Sequence, residues 1–249
     1  MENFIKFNSV TKIFPGNDAA TLDEMNLACK EGDIHIVLGF SGSGKSVTIK
    51  HALGLMRPDI GSVEVLGEDL AKSTKKSIQN LRKNFGMLFQ SSALFDSLNV
   101  FDNLAFPIRE FKKSWPESKV KTRVFELLEQ VDLAGSHFKM IDELSGGMKK
   151  RVAMARALAL KPKIIFCDEP TTGLDPVTSR RIDDLIVNTC KSIGASAFII
   201  SHDIKAALTI SDKISFLHMG KIIEDGKPSE FVKSEHPVVK NFLKSAGVI

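Results

Sequence analysis

Residues 39–46, with the sequence GFSGSGKS, constrain the fold of this chain more than any other segment. They match the pattern G-x-x-x-x-G-K-[ST] and follow a short, mostly branched apolar run at residues 34–38, which predicts a buried strand. Apolar residues at helical spacing then occupy residues 47–55. A strand, a glycine-rich turn and a helix, in that order, are the context in which this pattern binds phosphate.

The residue types in this phosphate loop (residues 39–46) suit a bound triphosphate. Its glycines let successive backbone N–H groups point at an anion, and the following helix presents its positive amino end to the same anion. Lys45 supplies a mobile positive charge for the β- and γ-phosphates, and the hydroxyl of Ser46 can bind Mg²⁺. The loop therefore predicts a nucleotide triphosphate site; a chance match would leave an ordinary glycine-rich loop.

Length and composition limit the class of protein. With 249 residues, of which 43% are apolar and 26% charged, the chain can bury the core of one elaborated α/β domain. No apolar run has the length of a membrane span, and the amino terminus lacks a signal-peptide pattern, so we expect a cytosolic chain. Cys29, Cys167 and Cys190 are too widely spaced to indicate a disulfide framework or a zinc site.

The charge of the chain does not indicate a nucleic-acid partner. The net charge of +4 is mild, and the sequence has no stacking-aromatic arrangement and no recognition-helix pattern. Basic tracts at residues 72–76, 112–113 and 149–151 are more typical of solvated faces. We therefore expect no nucleic acid among the partners.

Further strands are predicted along the chain. Residues 4–14, 25–29 and 61–67 predict an antiparallel sheet beside a parallel core, with a turn at residues 15–18. Phe14 could stack on an adenine ring or pack as an ordinary strand residue, and its spacing favours neither. The remaining predictions are buried strands at 85–90, 163–168 and 196–201, a hairpin formed by 212–217 and 221–224, and short helices within 228–249.

The sequence pattern of residues 91–140 differs from that of the rest of the chain. Apolar residues there recur at helical spacing, most clearly over 120–133, and Pro107 and Pro116 interrupt the segment. We expect a helical insert that does not fold separately. The predicted organisation is one domain, 1–249, with a nucleotide-binding core and antiparallel β subdomain at 1–90 and 141–249 and a helical subdomain at 91–140.

Polar residues follow two of the predicted strands. Ligands of parallel α/β sheets lie at the carboxyl ends of the strands, so Asp168 is placed to hold the hydrated Mg²⁺ that Ser46 touches. Glu169 is placed to orient or deprotonate a water molecule, and His202 to hydrogen-bond the γ-phosphate and that water. The alternatives are a solvated loop start for the two carboxylates and a structural role for the histidine.

Residues 144–148, with the sequence LSGGM, precede a helix predicted from about residue 149 to 160. Ser145 is a natural N-cap, and Gly146 and Gly147 leave backbone N–H groups open to an anion. Taken alone, this segment is more typical of an ordinary helix start than of an anion site.

In their order along the chain, these segments resemble the motifs of ABC-transporter ATPases. The motifs are Walker A at 39–46, a Q-loop glutamine at Gln90, an LSGG signature at 144–147, Walker B with its glutamate at 164–169, a D-loop at 173–175 and a switch histidine at His202. The resemblance covers nearly the whole chain. It implies a P-loop NTPase with a RecA-like parallel core, an antiparallel β subdomain and an inserted α-helical subdomain. It also implies that the protein hydrolyses ATP with Mg²⁺.

Within this superfamily, the chain most resembles the ATPases of the Mla phospholipid-transport systems of Gram-negative bacteria. The resemblance lies in Val47 after the lysine and serine of Walker A, in MLFQSSALFDSLNV at residues 87–100, and in Met148, where most relatives have Gln. In this superfamily, the segment after the Q-loop faces the membrane partner. The chain departs from the pattern at Phe14, where Tyr is usual, and it ends soon after residue 244, whereas Mla-type relatives often carry a longer tail that contacts a neighbouring subunit.

The resemblance also implies which residues act, and that two copies form a head-to-tail homodimer in which the signature of one copy completes the ATP site of the other. The implied catalytic residues are Glu169, His202, Gln90 and Lys45. The implied nucleotide-binding residues are Phe14, Gly39, Ser41, Gly42, Ser43, Gly44, Lys45, Ser46, Val47, Ser145, Gly146 and Gly147. The implied Mg²⁺ ligands are Ser46, Gln90 and Asp168.

The implied partners are an integral membrane permease and a periplasmic lipid-binding subunit, with the chain at the cytoplasmic face of the inner membrane. One alternative is the ATPase of another ABC transporter, such as a small-solute importer. A soluble ABC ATPase that acts on ribosomes or DNA is disfavoured, because each motif occurs once and no sustained heptads are present. A nucleotide-binding module without hydrolysis is disfavoured by Glu169 and His202.

Overall fold

The computed structural model describes residues 2–16 and 19–249. Its strands, in chain order, are β1 (Asn3–Lys12), β2 (Leu22–Lys30), β3 (Ile34–Leu38), β4 (Ile60–Val65), β5 (Glu68–Asp69), β6 (Phe85–Leu88), β7 (Ile164–Asp168), β8 (Ser196–Ser201), β9 (Lys213–His218) and β10 (Lys221–Gly226). Its helices are α1 (Lys45–Ala52), α2 (Lys75–Leu81), α3 (Val100–Phe111), α4 (Glu117–Gln130), α5 (Gly146–Ala157), α6 (Pro176–Ile193), α7 (Ile204–Ile210), α8 (Pro228–Phe231) and α9 (Pro237–Ser245).

The chain divides into two compact units. The first comprises Met1–Arg82 together with Ser196–Ile249, and the second comprises Lys83–Ala195. The helices expected within residues 91–140 are α3 and α4, in the second unit. The division of the chain into a core and a helical subdomain at 91–140 stays a prediction. Asn17 and Asp18, in the turn expected at residues 15–18, lie outside the described residues.

The first unit contains the predicted antiparallel sheet, in the order β2-β1-β4-β5. The predicted strands at 4–14, 25–29 and 61–67 correspond to β1, β2 and β4. Phe4, Ile5 and Phe7 of β1 are buried, but Ser9 has a φ of 45° and the pairing register shifts beside it. This irregularity explains why the alternation of apolar residues along β1 is imperfect.

The first unit also contains a parallel layer around β3. This strand lies between β8 and β9 and is parallel to both, and β10 pairs with β9 as the predicted hairpin. Every residue of β3 and of β8 is buried. Strands buried on both faces have continuous apolar runs, which is why both strands have the bounds predicted from the sequence.

In the second unit, β6 and β7 pair in parallel, and α5 packs against β6. A Cβ at Gly86 of β6 would lie 2.6 Å from the carbonyl oxygen of Ala157, so only glycine permits this approach of the helix. The expectation that Pro107 interrupts the insert is wrong, because it lies inside α3. A proline there removes one backbone donor, and the apolar face of α3, with Leu104 and Ile108 buried, stabilises the helix nevertheless.

Among the described residues, no helix combines the length and the apolar character needed to cross a membrane. Cys29, Cys167 and Cys190 are buried and form no disulfide, and burial raises the pKa of the Cys29 and Cys167 thiols well above the ordinary value. These cysteines pack as small hydrophobic residues.

A polar chain runs from the buried His35 to the exposed Asp225 across the parallel layer of the first unit. Nε2 of His35 in β3 lies 2.6 Å from Oγ of Ser215, which donates a hydrogen bond to Asp225 at 2.7 Å. Lys213 also donates to Asp225, at 2.6 Å. Because the serine hydroxyl donates to the carboxylate, its oxygen accepts from His35, which assigns the histidine proton to Nε2. Nδ1 is buried without a hydrogen-bond partner among the described residues.

This arrangement predicts that acid destabilises the chain through His35. Burial lowers the pKa of His35 to about 4, from 6.5. Between these values the unfolded chain binds a proton that the folded chain does not, so the folding free energy weakens as the pH falls. From pH 7.5 to pH 5 the expected loss is about 2 kcal/mol. Urea unfolding of the wild type and of His35→Gln, at both pH values, measures it. Equal losses in the two proteins would show that His35 does not contribute.

Candidate functional site

The turn after β3 lies tightly against its neighbours in the first unit. A Cβ at Gly39 would lie 2.4 Å from the carbonyl oxygen of Leu217 in β9. A Cβ at Gly44, whose φ is 108°, would lie 2.8 Å from the carbonyl oxygen of Thr21. Neither position accepts a side chain, so close packing, as well as phosphate chemistry, explains the two outer glycines of the phosphate loop.

The amino end of α1 lacks a capping side chain. Gly44 is its N-cap residue, so this position offers no acceptor for the first N–H groups of the helix. The helix begins at Lys45, two residues before the predicted start, and its first turn therefore includes Ser46 and Val47. A helix end of this kind favours an anion.

Two further side chains of the phosphate loop fit a phosphate group. Lys45 is 8% exposed, and its Nζ donates hydrogen bonds to the carbonyl oxygens of Gly39 at 2.7 Å and Phe40 at 3.0 Å. The hydroxyl of Ser43 is buried and has no hydrogen-bond partner within residues 2–16 and 19–249. Such an orphaned hydroxyl costs about 1–3 kcal/mol, which a phosphate oxygen would remove. The residues present therefore fit a triphosphate.

The outer residues of the loop are accessible. Ser41, Gly42 and Ser46 are exposed, and Val47 is half-buried. The described part of the chain contains no cluster of three or more His, Cys, Asp and Glu residues that could hold a metal. The exposed hydroxyl of Ser46 suits Mg²⁺, which is commonly held by phosphate oxygens, water and one or two protein ligands.

Phe14 lies beyond the strand in which it was expected. β1 ends at Lys12, and Phe14 is half-buried two residues later, with the Nζ of Lys12 5.7 Å from its ring centroid. The ring therefore contacts a cation of its own chain. Its stacking on adenine stays a prediction.

Phe40 connects the phosphate loop to the last helix, a role that the sequence pattern does not reveal. Its ring lies edge-to-face on Phe242 of α9, with centroids 5.3 Å apart, and on Phe216 of β9, at 5.7 Å. The G-x-x-x-x-G-K-[ST] pattern allows any residue at this position. Only the unusual size of the side chain could have indicated a packing role.

His202 directly follows β8. This strand pairs with β3, which leads into the phosphate loop. β3 and β8 are parallel, and Leu38 pairs with Ser201 at their carboxyl ends. Gly39 and His202 directly follow these two residues, so both lie at the same edge of this sheet. His202 is exposed. The next residue, Asp203, is the N-cap of α7 and accepts hydrogen bonds from two backbone N–H groups of that helix, at 2.9 and 3.0 Å.

In the second unit, Asp168 and Glu169 stand at the carboxyl end of β7, as predicted. Both are half-buried. Glu169 has a φ of 49°, and its Oε2 accepts a hydrogen bond from the hydroxyl of Thr172 at 3.1 Å. A left-handed backbone at a residue other than glycine costs about 1–2 kcal/mol, and such strain is concentrated at functional sites.

Gln90 lies two residues beyond β6, and α5 holds its backbone. The Nζ of Lys150 donates to the carbonyl oxygens of Gln90 at 2.6 Å and of Phe89 at 3.3 Å. The Gln90 residue itself is exposed. Lys150 is only 4% exposed, so the prediction of a solvated face at residues 149–151 is wrong for this residue.

The signature segment forms the amino end of α5. Ser145 is its N-cap and accepts a hydrogen bond from the N–H of Met148 at 3.3 Å, so the helix begins at Gly146 and not near residue 149. A cleft of about 340 Å³ is lined by this segment and by Arg151 and Arg181. The cleft is also lined by Asp175, so its charged side chains are of both signs.

Each unit thus contains part of the predicted site. The first unit contains the phosphate loop, Phe14 and His202. The second contains Gln90, the signature segment, and Asp168 with Glu169. That these two sets bind one nucleotide is a prediction from the sequence.

Comparison with known proteins identifies the family. The family model described as "ABC transporter" matches residues 22–172. The chain is 40% identical to the probable ribonucleotide transport ATP-binding protein mkl of Mycobacterium tuberculosis, over 96% of this chain and 66% of that protein. The match therefore spans slightly less than two thirds of the length of that relative.

Other relatives carry different names. Identity is 37% to the intermembrane phospholipid transport system ATP-binding protein MlaF of Haemophilus influenzae, over 98% of this chain and 91% of that protein. Identity is also 37% to the methionine import ATP-binding protein MetN of Carboxydothermus hydrogenoformans, over 93% of this chain and 69% of that protein. Mla-type identity is therefore one of several possibilities.

A solved structure supports the fold. The post-hydrolysis dimer of the ATP-binding cassette MJ0796, bound to ADP and Pi, superposes with a TM-score of 0.82 at 29% identity, over 90% of this chain and 98% of that one. The predicted fold class and the prediction of an ABC-type ATPase with ATP and Mg²⁺ as cofactors are thereby confirmed. The chain belongs to the ABC transporter family.

Proposed function

We propose that this chain is the ATP-hydrolysing subunit of an ABC transporter that moves phospholipids between the inner and outer membranes. The observation that carries the ATPase role is the phosphate loop, in which a buried lysine, an orphaned hydroxyl and an uncapped helix end converge. The lipid cargo rests on the resemblance of residues 87–100 to Mla-type ATPases and on the near full-length match to MlaF.

In this proposal, the residues of one chain act on a single triphosphate. Lys45 and the first N–H groups of α1 bind the β- and γ-phosphates. Ser46, Gln90 and Asp168 hold Mg²⁺, which when bound neutralises charge on the phosphate oxygens. Glu169 accepts a proton from the attacking water, and His202 hydrogen-bonds the γ-phosphate. Phe14 stacks on the adenine ring, which requires only a π face.

The second copy supplies the other wall of the site. One phosphate loop leaves the γ-phosphate open to water, whereas a second helix amino end can cover it. We place Ser145, Gly146 and Gly147 of the partner copy there, because these residues line a cleft that also contains Arg151. ATP binding closes the homodimer, and hydrolysis reopens it.

A membrane permease is the proposed mechanical partner, and a periplasmic lipid-binding subunit belongs to the same complex. The segment after Gln90 exposes aromatic surface: Phe95 and Phe106 are 41% and 48% exposed, with ring centroids 5.0 Å apart. Buried Asn103 holds this segment through hydrogen bonds to the backbone of Phe95 and Leu98. A firmly held aromatic surface suits a protein partner, which supports the proposed position of the chain as a peripheral subunit at the cytoplasmic face of the inner membrane.

The second candidate is the ATPase of a small-solute importer. The match to MetN, named for methionine import, favours it, and the mkl name refers to ribonucleotide transport. The ATP chemistry is the same in each case, because the cargo contacts other subunits.

Replacement of Glu169 by glutamine tests the chemistry. The amide keeps the shape of the side chain and its hydrogen bond with Thr172, but it cannot accept the proton. We expect ATP binding and dimer closure to remain, while phosphate release falls by about 10²–10⁴-fold. A phosphate-release assay measures hydrolysis, and light scattering in the presence of ATP measures dimer closure. Turnover near that of the wild type would exclude Glu169 as the base.

Detergent purification from membranes tests the partner and the cargo. We expect mass spectrometry to find an integral membrane protein with the chain, together with phospholipid. Phe106→Glu would reduce recovery of that protein by placing a charge on the aromatic surface. Met219→Glu, in an exposed methionine of the first unit, is the matched control. Recovery of a permease with a polar solute-binding protein, and without lipid, would support the importer instead.

A further inference from the structure

A single buried lysine contacts the backbone that carries Gln90. Lys150 is 4% exposed, and its ammonium group donates to two successive carbonyl oxygens, those of Phe89 and Gln90. Charged donors make the stronger hydrogen bonds of proteins, and buried ones need their partners. The place of the Gln90 backbone therefore depends on a side chain of α5.

The same helix makes a second attachment to this segment. Arg156 donates to the carbonyl oxygens of Ser92 at 3.0 Å and Ala93 at 2.8 Å. Ser92 and Ala93 have φ values of 65° and 47°, so the chain turns sharply at two non-glycine residues. Four carbonyl groups just beyond β6 thus accept hydrogen bonds from two cations of α5.

Lys150 differs from Arg156 in what else acts on its charge. Burial lowers the pKa of Lys150, and the charges of Asp168 and Glu169 act against that shift. The ammonium group is thus within the electrostatic influence of the two carboxylates that end β7. It also lies on the helix that begins with the signature segment.

We propose that Lys150 is a positioning residue for ATP hydrolysis, which sets the place of Gln90 through its backbone and ties it to the signature helix. This inference rests on the proposed function, because it takes the roles of Gln90 and the carboxylates from there. A displacement of the signature helix by the second copy is then passed to the Gln90 backbone through Lys150, and to Ser92 and Ala93 through Arg156. We assign Lys150 no direct contact with the nucleotide or the metal.

The test uses phosphate release by the purified chain, or by its complex with the co-purified permease. Lys150→Met keeps an unbranched apolar stem, one atom shorter, and removes the donor. We expect it to lower the rate by about 10-fold or more, and to raise the Mg²⁺ concentration for half-maximal rate. Lys150→Arg would restore most of the rate, because it donates to the same carbonyl groups. Lys149→Met, at the half-buried neighbour, is the matched control and should remain near the wild type.

A double-mutant cycle separates positioning from a merely structural role. If Lys150 acts through Gln90, then Lys150→Met has little further effect on the rate in a Gln90→Ala background. Multiplicative effects of the two changes would overturn the proposal, as would a Lys150→Met protein with the wild-type rate and Mg²⁺ dependence. If Gln90→Ala itself leaves hydrolysis unchanged, the proposed role of Gln90 fails, and this inference fails with it. A slow Gln90→Ala with a normal Lys150→Met overturns only the inference.

Discussion

The first N–H groups of a helix need acceptors, and the two glycine-rich helix starts of this chain meet that need differently. At α1 the N-cap residue is Gly44, which has no side chain, so a ligand can supply the acceptor. At α5 the N-cap is Ser145, whose hydroxyl accepts from Met148. The signature helix is therefore partly capped by its own chain, whereas the helix after the phosphate loop has no side-chain cap and can be completed by an anion. One residue at one helical position makes the difference.

Close backbone contacts then fix where each segment lies. Gly39 touches the backbone of Leu217, so β9 sets the start of the phosphate loop. Gly86 touches the backbone of Ala157, so α5 sets the course of β6 and of the Q-loop that follows it. Each functional segment is thus positioned by a neighbour distant in sequence. Glycine is needed at both positions because any Cβ would overlap a carbonyl oxygen.

Much of the fold could be predicted from the sequence, because buried strands have unmistakable patterns. β3 and β8 are buried throughout and mostly apolar, and they were located to the residue. Helix starts were less predictable: α1 begins at Lys45 and α5 at Gly146, each earlier than the apolar spacing indicates. Serine and glycine obscure the helical pattern there, since tertiary packing and capping, not intrinsic propensity, form the first turn. The position of Phe14, beyond β1, had no local signal either.

The candidate site was predictable in its residues but not in what supports them. The tract at residues 149–151 has three cations in a row, which composition alone assigns to solvent. A helix advances by about 100° per residue, so three consecutive side chains point in three directions, and only packing decides their fates. Lys150 is buried against the Q-loop, while Arg151 donates to the carbonyl oxygens of Val131 and Asp132, where α4 ends. Carbonyl groups at the ends of strands and helices lack partners of their own, and α5 supplies them. Lys150, Arg151 and Arg156 are therefore better understood as donors that order the surrounding segments than as a charged surface.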